Sequence, residues 1–464
     1  MKFSAIIRSL LCAALIAAVF TGCSDDDSAL EPAPFSTDPI VFDDNFGSSV
    51  NYEAFLGSDY NAISIDTETR HEGTASIKVV VPDAGPTYAG GAFTTNELRD
   101  LTGYNALTFW GKASKAIQLD VAGLANDNTG TSKYTAEWHE IDMDTQWSKY
   151  IIPIPLPKKL EAEGGLFFFA EAAEGTEGHD MWFDQIKFEK LEEGVITNPR
   201  PSMTSKTYNS FVGAELDVTG TTTTFSVNSV DQVIIHMPNY FSFVSSADSV
   251  AQTEGENIKV VGPGTAIITG TLGATDVDGE LTLVAYAAPE TSAPTPAVDP
   301  SNVISIFSNS YSDITVDTWS AEWDMADVSD FEVSGDDIKA YTNLIYAGVD
   351  FSNDLIDATN MDYFHIDVWV PDGVTTFQVK LVDFGEDGQY LGAPDSEGTV
   401  TFNASSTPPL TTGEWVSYDV PIEDFMNGPD GLFARAHLAQ MLFEGSGSAI
   451  TAFVDNIYFY QTTE

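Results

Sequence analysis

Residues 363–370 read YFHIDVWV, a short run in which apolar side chains occupy every second position. Side chains of a β-strand alternate between two faces, so this run predicts a strand with one buried face. The buried face holds Phe364, Ile366 and Val368. The opposite face holds His365, Asp367 and Trp369. Similar runs, separated by Gly, Asn, Asp and Pro, fill the chain after residue 40 without a capped helical period. This pattern is typical of antiparallel β-sandwiches and predicts an all-β fold.

The same strand has a counterpart earlier in the chain. YNALTFWGKAS (104–114) matches YFHIDVWVPDG (363–373), which aligns Trp110 with Trp369. Other pairs follow in the same order: YAGGAF (88–93) with YAGVDF (346–351), WSKYIIPIPL (147–156) with WVSYDVPIEDF (415–425), and MWFDQIKF (181–188) with AFVDNIYF (452–459). Ordered matches of this kind predict a duplicated β-module.

The remaining segments complete a domain plan. SADSVAQTEGENIKVVGPGTAIITGTLG (246–273) resembles the bacterial immunoglobulin-like domain, which implies a third β-sandwich between the two copies. The predicted boundaries are a leader at 1–22, a flexible tether at 23–38, a first module at 39–192, the immunoglobulin-like domain at 197–290, a Pro-rich linker at 291–299 and a second module at 300–464.

The net charge of −51, from 19 Lys plus Arg and 70 Asp plus Glu, excludes one class of partner. Such a chain repels phosphate backbones, so we expect no nucleic-acid binding. By the same reasoning it repels acidic polymers, which favours a neutral ligand.

The leader has a basic start followed by the apolar run LLCAALIAAVF, and it is too short to be a membrane-spanning helix. It ends in VFTGC and resembles a bacterial lipoprotein signal, which implies that Cys23 becomes the acylated first residue. The acidic SDDDS that follows resembles the surface-export signal of lipoproteins from glycan-degrading Gram-negative bacteria. This resemblance implies anchorage to the outer membrane, facing the cell exterior.

Both copies resemble the jelly-roll carbohydrate-binding modules of secreted polysaccharide-degrading enzymes. The paired ALTFWGKAS and HIDVWVPDG strands and the closing FDQIKF and VDNIYF carry this resemblance. The second copy resembles modules appended to β-glucanases of glycoside hydrolase family sixteen. Together with the anchor, these features resemble a surface glycan-binding protein of a polysaccharide-uptake system. The implied function is non-catalytic capture of a neutral β-glucan such as laminarin, passed to a glycan importer complex. The alternative is a protein-binding adhesin or structural surface lipoprotein.

A sugar site needs exposed aromatic side chains beside fixed hydrogen-bonding groups. The candidates are Tyr88, Trp110, Trp138, Trp319, Trp323, Tyr346, His365, Asp367 and Trp369. Strand alternation predicts Trp138 on the same face as Glu140 and Asp142, and the WSAEW run predicts Trp319 and Trp323 in an exposed loop. For Trp110 and Trp369, burial under a covering loop or a further layer of strands remains an alternative.

One motif resembles a catalytic site. HEIDMD (139–144) is similar to the Glu-Ile-Asp-x-x-Glu strand of family-sixteen glycosidases, which implies a nucleophile and an acid/base on one strand face. Here Asp144 stands where the family has Glu, and the second copy lacks the motif. We therefore expect no enzyme activity, and a glycosidase using Glu140, Asp142 and Asp144 is the least favoured alternative.

Calcium is the one cofactor that the resemblance implies. Modules of this type often hold a structural ion between the first and last strands, and hard oxygen ligands suit Ca²⁺. The candidate ligands are Asp44, Glu72, Asp184 and Asp455. The alternative is a solvated acidic surface.

The two copies also differ near the candidate site. Gly91 and Ala92 of the first copy become Val349 and Asp350 in the second, which adds a carboxylate. We expect the copies to share a fold and to differ in ligand or affinity.

Overall fold

Strands form almost all the regular structure of the protein. The computed structural model describes residues 34–391, 395–426, 432 and 434–462. Within these residues there is no α-helix, and no helix is long and apolar enough to cross a membrane. The short 3-10 turns are Pro157–Lys159, Pro238–Tyr240, Pro300–Asn302 and Ile422–Met426. The all-β prediction is confirmed. The leader and Cys23 lie outside the described residues.

The first module consists of two sheets. One has the order β3-β4-β11-β6-β9, with β1 paired to β11, and the other has the order β8-β7-β10-β5-β2. The strands are β1 (Ile40–Phe42), β2 (Val50–Ala54), β3 (Ile63–Asp66), β4 (Ser76–Val81), β5 (Ala89–Arg99), β6 (Ala106–Ala113), β7 (Ile117–Leu124), β8 (Ala136–Met143), β9 (Ser148–Pro153), β10 (Glu163–Glu171) and β11 (His179–Glu189).

The middle segment adds eleven strands, β12 to β22. They are β12 (Ile196–Ser202), β13 (Lys206–Phe211), β14 (Glu215–Leu216), β15 (Thr222–Val227), β16 (Val230–His236), β17 (Ser242–Ser245), β18 (Ala251–Glu254), β19 (Asn257–Val260), β20 (Gly264–Leu272), β21 (Thr275–Asp276) and β22 (Leu281–Tyr286). We call this segment the middle domain. Its immunoglobulin-like assignment stays a prediction.

The second module repeats the strand order of the first. It contains β23 (Val303–Phe307), β24 (Met325–Val333), β25 (Asp336–Asp350), β26 (Tyr363–Trp369), β27 (Thr376–Asp383), β28 (Ser396–Asn403), β29 (Trp415–Pro421), β30 (Leu438–Glu444) and β31 (Ile450–Tyr460). The order β24-β25-β31-β26-β29 corresponds to β3-β4-β11-β6-β9, and β28-β27-β30-β25 corresponds to β8-β7-β10-β5. This correspondence confirms the predicted duplication.

One strand distinguishes the copies. β25 corresponds to both β4 and β5 of the first module, since its first part pairs with β31 and its second part with β30. The register shifts between Tyr341 and Leu344, and Asn343 has a φ of 52° in the left-handed region. Such a bulge bends a strand, which lets β25 pass from one sheet of the sandwich to the other.

Alternation along the strands fills the cores as predicted. Phe364, Ile366 and Val368 of β26 are each 0% exposed and belong to one apolar cluster of the second module. The corresponding strand β6 buries Leu107 and Phe109 in the first module.

The first module and the middle domain share a sheet. β8 pairs with β16 through Glu137 with Ile235 and Ala136 with His236, so the sheet continues as β12-β15-β16-β8-β7-β10-β5-β2. Gln232 Nε2 of β16 also donates to the Ile151 carbonyl of the first module at 3.0 Å.

The middle domain also packs on the second module. The Phe211 ring lies 5.2 Å from the Phe331 ring and 5.1 Å from the Phe453 ring, centroid to centroid. The linker adds a hydrogen bond of 2.8 Å from Trp415 Nε1 to the Thr291 carbonyl. These contacts cover the outer face of the sheet that contains β26.

Candidate functional site

The second part of β25 exposes a row of side chains on the outer face of its sheet. Ala347 and Val349 are 0% exposed and face the core. Tyr346, Gly348 and Asp350 therefore face outward. With Trp323, Lys380, Gln440 and Glu444 they form a surface that we call the Trp323 face.

An aromatic platform lies at one end of the Trp323 face. The Trp323 and Tyr346 rings are 6.2 Å apart between centroids and within 20° of parallel, and Trp323 is 51% exposed. The indole lies directly over Gly348, where an added Cβ would be 2.5 Å from Trp323 Cη2. Only glycine permits so close an approach, so Gly348 fixes the height of the platform.

Hydrogen-bonding groups occupy the centre of the face. Gln440 Nε2 donates to Asp350 Oδ2 at 2.6 Å. Burial alone would raise the pKa of Asp350, but hydrogen bonds from Ser352 and Gln440 outweigh it and hold the pKa below its ordinary value. The carboxylate is therefore ionised at neutral pH and accepts hydrogen bonds.

The adjacent strand β27 contributes a charged group that is already paired. Lys380 Nζ lies 3.5 Å from Glu444 Oε1 and 3.3 Å from Glu397 Oε1. These contacts fix the ammonium group while its remaining protons can serve as donors.

A small apolar cluster borders this polar centre. Val382, Phe384 and Ala439 are buried together, and Leu442 packs against them. Tyr390 is 63% exposed beside Phe384, with 5.7 Å between ring centroids.

This arrangement suits a sugar chain. The flat aromatic rings match the apolar C–H faces of a pyranose, and the fixed carboxylate, amide and ammonium groups match its hydroxyls. Of the predicted candidates, the structure brings Trp323 and Tyr346 together.

Five residues of the face were not predicted as site residues: Gly348, Asp350, Lys380, Gln440 and Glu444. Their signal in the sequence is the alternation of β25, β27 and β30, but which face of those strands remains open depends on tertiary packing.

The equivalent surface of the first copy is closed. Ala92 pairs with Phe168 where Asp350 pairs with Gln440 in the second copy. Phe168 is 3% exposed and packs against the Phe55 ring at 6.2 Å. Tyr88 is half-buried at the position of Tyr346, and its hydroxyl donates to the Leu56 carbonyl at 3.2 Å. The first copy therefore lacks the polar centre.

Three predicted sugar contacts lie on the predicted strand face but are buried. Trp369 is 5% exposed, because Phe453 and the linker cover it. His365 is 8% exposed and stacks on Tyr458 at 4.5 Å, and Asp367 is 1% exposed. The prediction that these residues form an open sugar site is wrong, and the alternative of a covering layer holds for Trp369.

His365 has a structural environment instead. Its Nδ1 lies 2.8 Å from Asp419 Oδ1 and its Nε2 lies 3.6 Å from Asp367 Oδ1. Burial alone would lower the pKa of His365, but the two carboxylates outweigh it and raise the pKa to about 9. The His365 imidazolium therefore neutralises the buried Asp367 carboxylate beneath the linker.

Two other tryptophans are partly covered by neighbouring side chains. Trp110 points outward as predicted, but His71 stacks on it at 3.7 Å and covers one ring face. Trp319 is half-buried against the core of the second module and lies 5.3 Å from the Phe307 ring. The prediction of an exposed Trp319 is wrong, because the WSAEW loop turns only Trp323 outward.

The HEIDMD strand does not form a regular row of carboxylates. Glu140 has a φ of 54°, which interrupts the alternation of β8. Trp138 consequently packs against the core, 6.2 Å from the Tyr150 ring, while Glu140, Asp142 and Asp144 are exposed. The prediction that Trp138 shares their face is wrong.

The predicted calcium ligands of the first copy are already satisfied by the protein. Asp44 Oδ1 accepts from the Ala75 amide at 3.1 Å, and Asp184 Oδ2 accepts from the His71 amide at 2.8 Å. Glu72 Oε2 accepts from Gln185 Nε2 at 3.1 Å. These carboxylates therefore already accept hydrogen bonds from the chain, and calcium in the first copy stays a prediction.

Asp455 of the second copy has different surroundings. It is 0% exposed, and its Oδ2 is buried without a hydrogen-bond partner among the described residues. Burial and the nearby Asp336 raise the pKa of Asp455 to about 8. No group of three or more His, Cys, Asp or Glu in the described ranges could hold a metal, so the unpartnered Asp455 oxygen is the one observation that supports a cation here. Calcium stays a prediction.

Comparison with known proteins gives no match among curated proteins. Among solved structures, the chain is similar to the tandem CBM22-1-CBM22-2 domain of Paenibacillus barcinonensis Xyn10C, with 10% identity, coverage of 94% of this chain and 100% of that one, and a TM-score of 0.23. It is also similar to the family 30 carbohydrate-binding module of a cellulosomal cellulase of Clostridium thermocellum, with 16% identity, coverage of 34% and 96%, and a TM-score of 0.23.

A family model matches the second copy. Carbohydrate-binding modules are distinct from catalytic domains, and the matched segment contains every residue of the Trp323 face. Residues 302–461 match the family described as Carbohydrate binding domain 30, which supports non-catalytic carbohydrate binding by this chain.

Proposed function

We propose that this protein captures a neutral β-glucan at the Trp323 face of its second module and does not cleave it. The observation that carries the proposal is the exposed Trp323–Tyr346 platform beside Asp350 and Gln440, within the segment that matches Carbohydrate binding domain 30. The net charge of −51 supports a neutral polymer, because an acidic polysaccharide would be repelled.

The identity of the glycan and the location of the protein are proposed from sequence resemblance. Similarity of the second copy to modules of family-sixteen β-glucanases supports a β-glucan such as laminarin. The lipoprotein-like leader and the acidic SDDDS segment support anchorage through Cys23 on the outer membrane, facing the exterior. In this setting the protein would hold polysaccharide for partner proteins that import and degrade it.

Affinity electrophoresis tests the proposal directly. The purified protein is run through gels that contain laminarin, mixed-linkage glucan, xylan or mannan. We expect retardation by a β-glucan, and we expect Trp323→Ala to abolish it. Trp110→Ala is the matched control, since Trp110 is half-buried on a different module and should leave the retardation unchanged. Absence of retardation in every gel would instead favour the adhesin alternative.

The absence of catalysis has its own test. Prolonged incubation with laminarin should release no new reducing ends above a buffer control. Hydrolysis that disappears in Glu140→Gln would overturn this part of the proposal.

A further inference from the structure

A cleft of about 560 Å³ lies between the middle domain and the second module. Thr207 and Asn209 of β13 line one wall, and Asp327, Ser329 and Asn343 line the other. Ligand sites typically have volumes of about 300–1,000 Å³, so the cleft is large enough for part of a chain ligand.

The walls are joined by a chain of side-chain hydrogen bonds. Asn209 Nδ2 donates to Asn343 Oδ1 at 2.5 Å, and Asn343 Nδ2 donates to Asp327 Oδ2 at 2.5 Å. These bonds fix amide and carboxylate groups from both domains in one place. Amide groups keep further donors and lone pairs for a hydroxyl-rich ligand.

The cleft adjoins the Trp323 face along the chain. Met325 pairs with Tyr346 of the platform and is 51% exposed. Asp327 follows two residues later on β24, and Asn343 precedes Tyr346 by three residues on β25. The register shifts between Met325 and Asp327, where β24 follows the bend of β25 from one sheet to the other. Since a strand rises about 3.3 Å per residue, the path from Met325 to Ser329 round this bend is at most about 13 Å.

We propose that the middle domain completes the glycan site: a long neutral glycan bound on the Trp323 face continues past Met325 into the interdomain cleft, where Asn209 and Asn343 bind its hydroxyls. This inference rests on the proposed function and adds that the middle domain is more than a spacer. The carboxylates that line the cleft, Glu215, Asp217, Asp327 and Asp330, disfavour an anionic ligand.

The test compares oligosaccharides of increasing length on the full protein by isothermal titration calorimetry. For the parent protein, affinity for laminari-oligosaccharides should increase until the chain reaches the cleft. Asn209→Ala should weaken binding of the longest oligosaccharide about fivefold to tenfold, as expected for one or two lost hydrogen bonds, and leave the shortest unchanged. Ser329→Leu narrows the cleft without breaking the Asn209–Asn343 bond and should have the same effect. Asn257→Ala, at an exposed asparagine of the same domain, is the control and should change neither.

Two outcomes distinguish the interdomain cleft from the Trp323 face. If Trp323→Ala abolishes binding while Asn209→Ala and Ser329→Leu keep the full gain with length, the interdomain subsite is refuted and the Trp323 face stands. If Trp323→Ala has no effect on any oligosaccharide, the proposed function itself fails.

Discussion

Gly348→Ala is the sharpest perturbation of the Trp323 face, because it adds one methyl group beneath the platform. The new Cβ would lie 2.5 Å from Trp323 Cη2 and 2.6 Å from Trp323 Cζ2. Carbon atoms in contact lie about 3.5–4.0 Å apart, so the indole must move by about 1 Å or more. Gly348 is not among the glycines with positive φ, so alanine is compatible with its backbone.

The expected result separates stability from binding. Trp323 is 51% exposed, so its displacement should change the free energy of unfolding by less than about 1 kcal/mol. The displaced indole no longer lies parallel to Tyr346 and loses its stacking on the sugar. A binding hot spot is worth about 2 kcal/mol, so we expect Kd for the retained β-glucan to rise about thirtyfold.

Isothermal titration calorimetry and urea denaturation measure the two quantities on the same protein. Gly103→Ala is the matched control, because an added Cβ there meets nothing within 4 Å. A Gly348→Ala protein that binds as tightly as the parent would refute the reasoning. Equal losses in both alanine variants would also refute it.

Three further predictions concern other parts of the molecule. Burial lowers the pKa of His236 to about 4, below its unfolded value of about 6.5. The stability contributed by the neutral ring is therefore present above pH 6.5 and lost as the pH falls towards 4. Denaturation across this range should show the free energy of unfolding fall by up to about 3 kcal/mol, and His236→Gln should remove this pH dependence. Phe211→Ala should lower the free energy of unfolding by about 3–5 kcal/mol, because the buried ring contacts Phe331 and Phe453 across a domain boundary; a change below 1 kcal/mol by urea denaturation would contradict this contact. Ca²⁺ should raise the melting temperature of the parent protein and not that of Asp455→Asn, and equal shifts in both proteins would exclude Asp455 as a ligand.

The strands and the duplication could be predicted from sequence because both are local or repeated signals. Period-two alternation identified the core residues of β26, and ordered matches between the copies corresponded to the same strand order in both. Alternation failed at Glu140, where a left-handed residue breaks the period and turns Trp138 to the core. Nothing in the HEIDMD residues themselves marks that bulge.

The site was only partly predictable, because exposure depends on what covers a face. Trp369 and Trp323 are both tryptophans of the second copy, yet the linker and Phe453 cover the first while the second stays open. The YAGVDF segment contained one of the two decisive changes, Asp350 in place of Ala92. The other, Gln440 in place of Phe168, lies on β30. Recognising the partner Gln440 required the pairing of β25 with β30.

The pairing of β8 with β16 also determines how the protein can be divided. A fragment that ends at residue 192 would leave Ala136 and Glu137 of β8 without their partners in β16. An unpaired strand edge is a template for association with other chains, so such a fragment should aggregate. A piece that extends through β22, to Tyr286, keeps this pairing of β8 with β16.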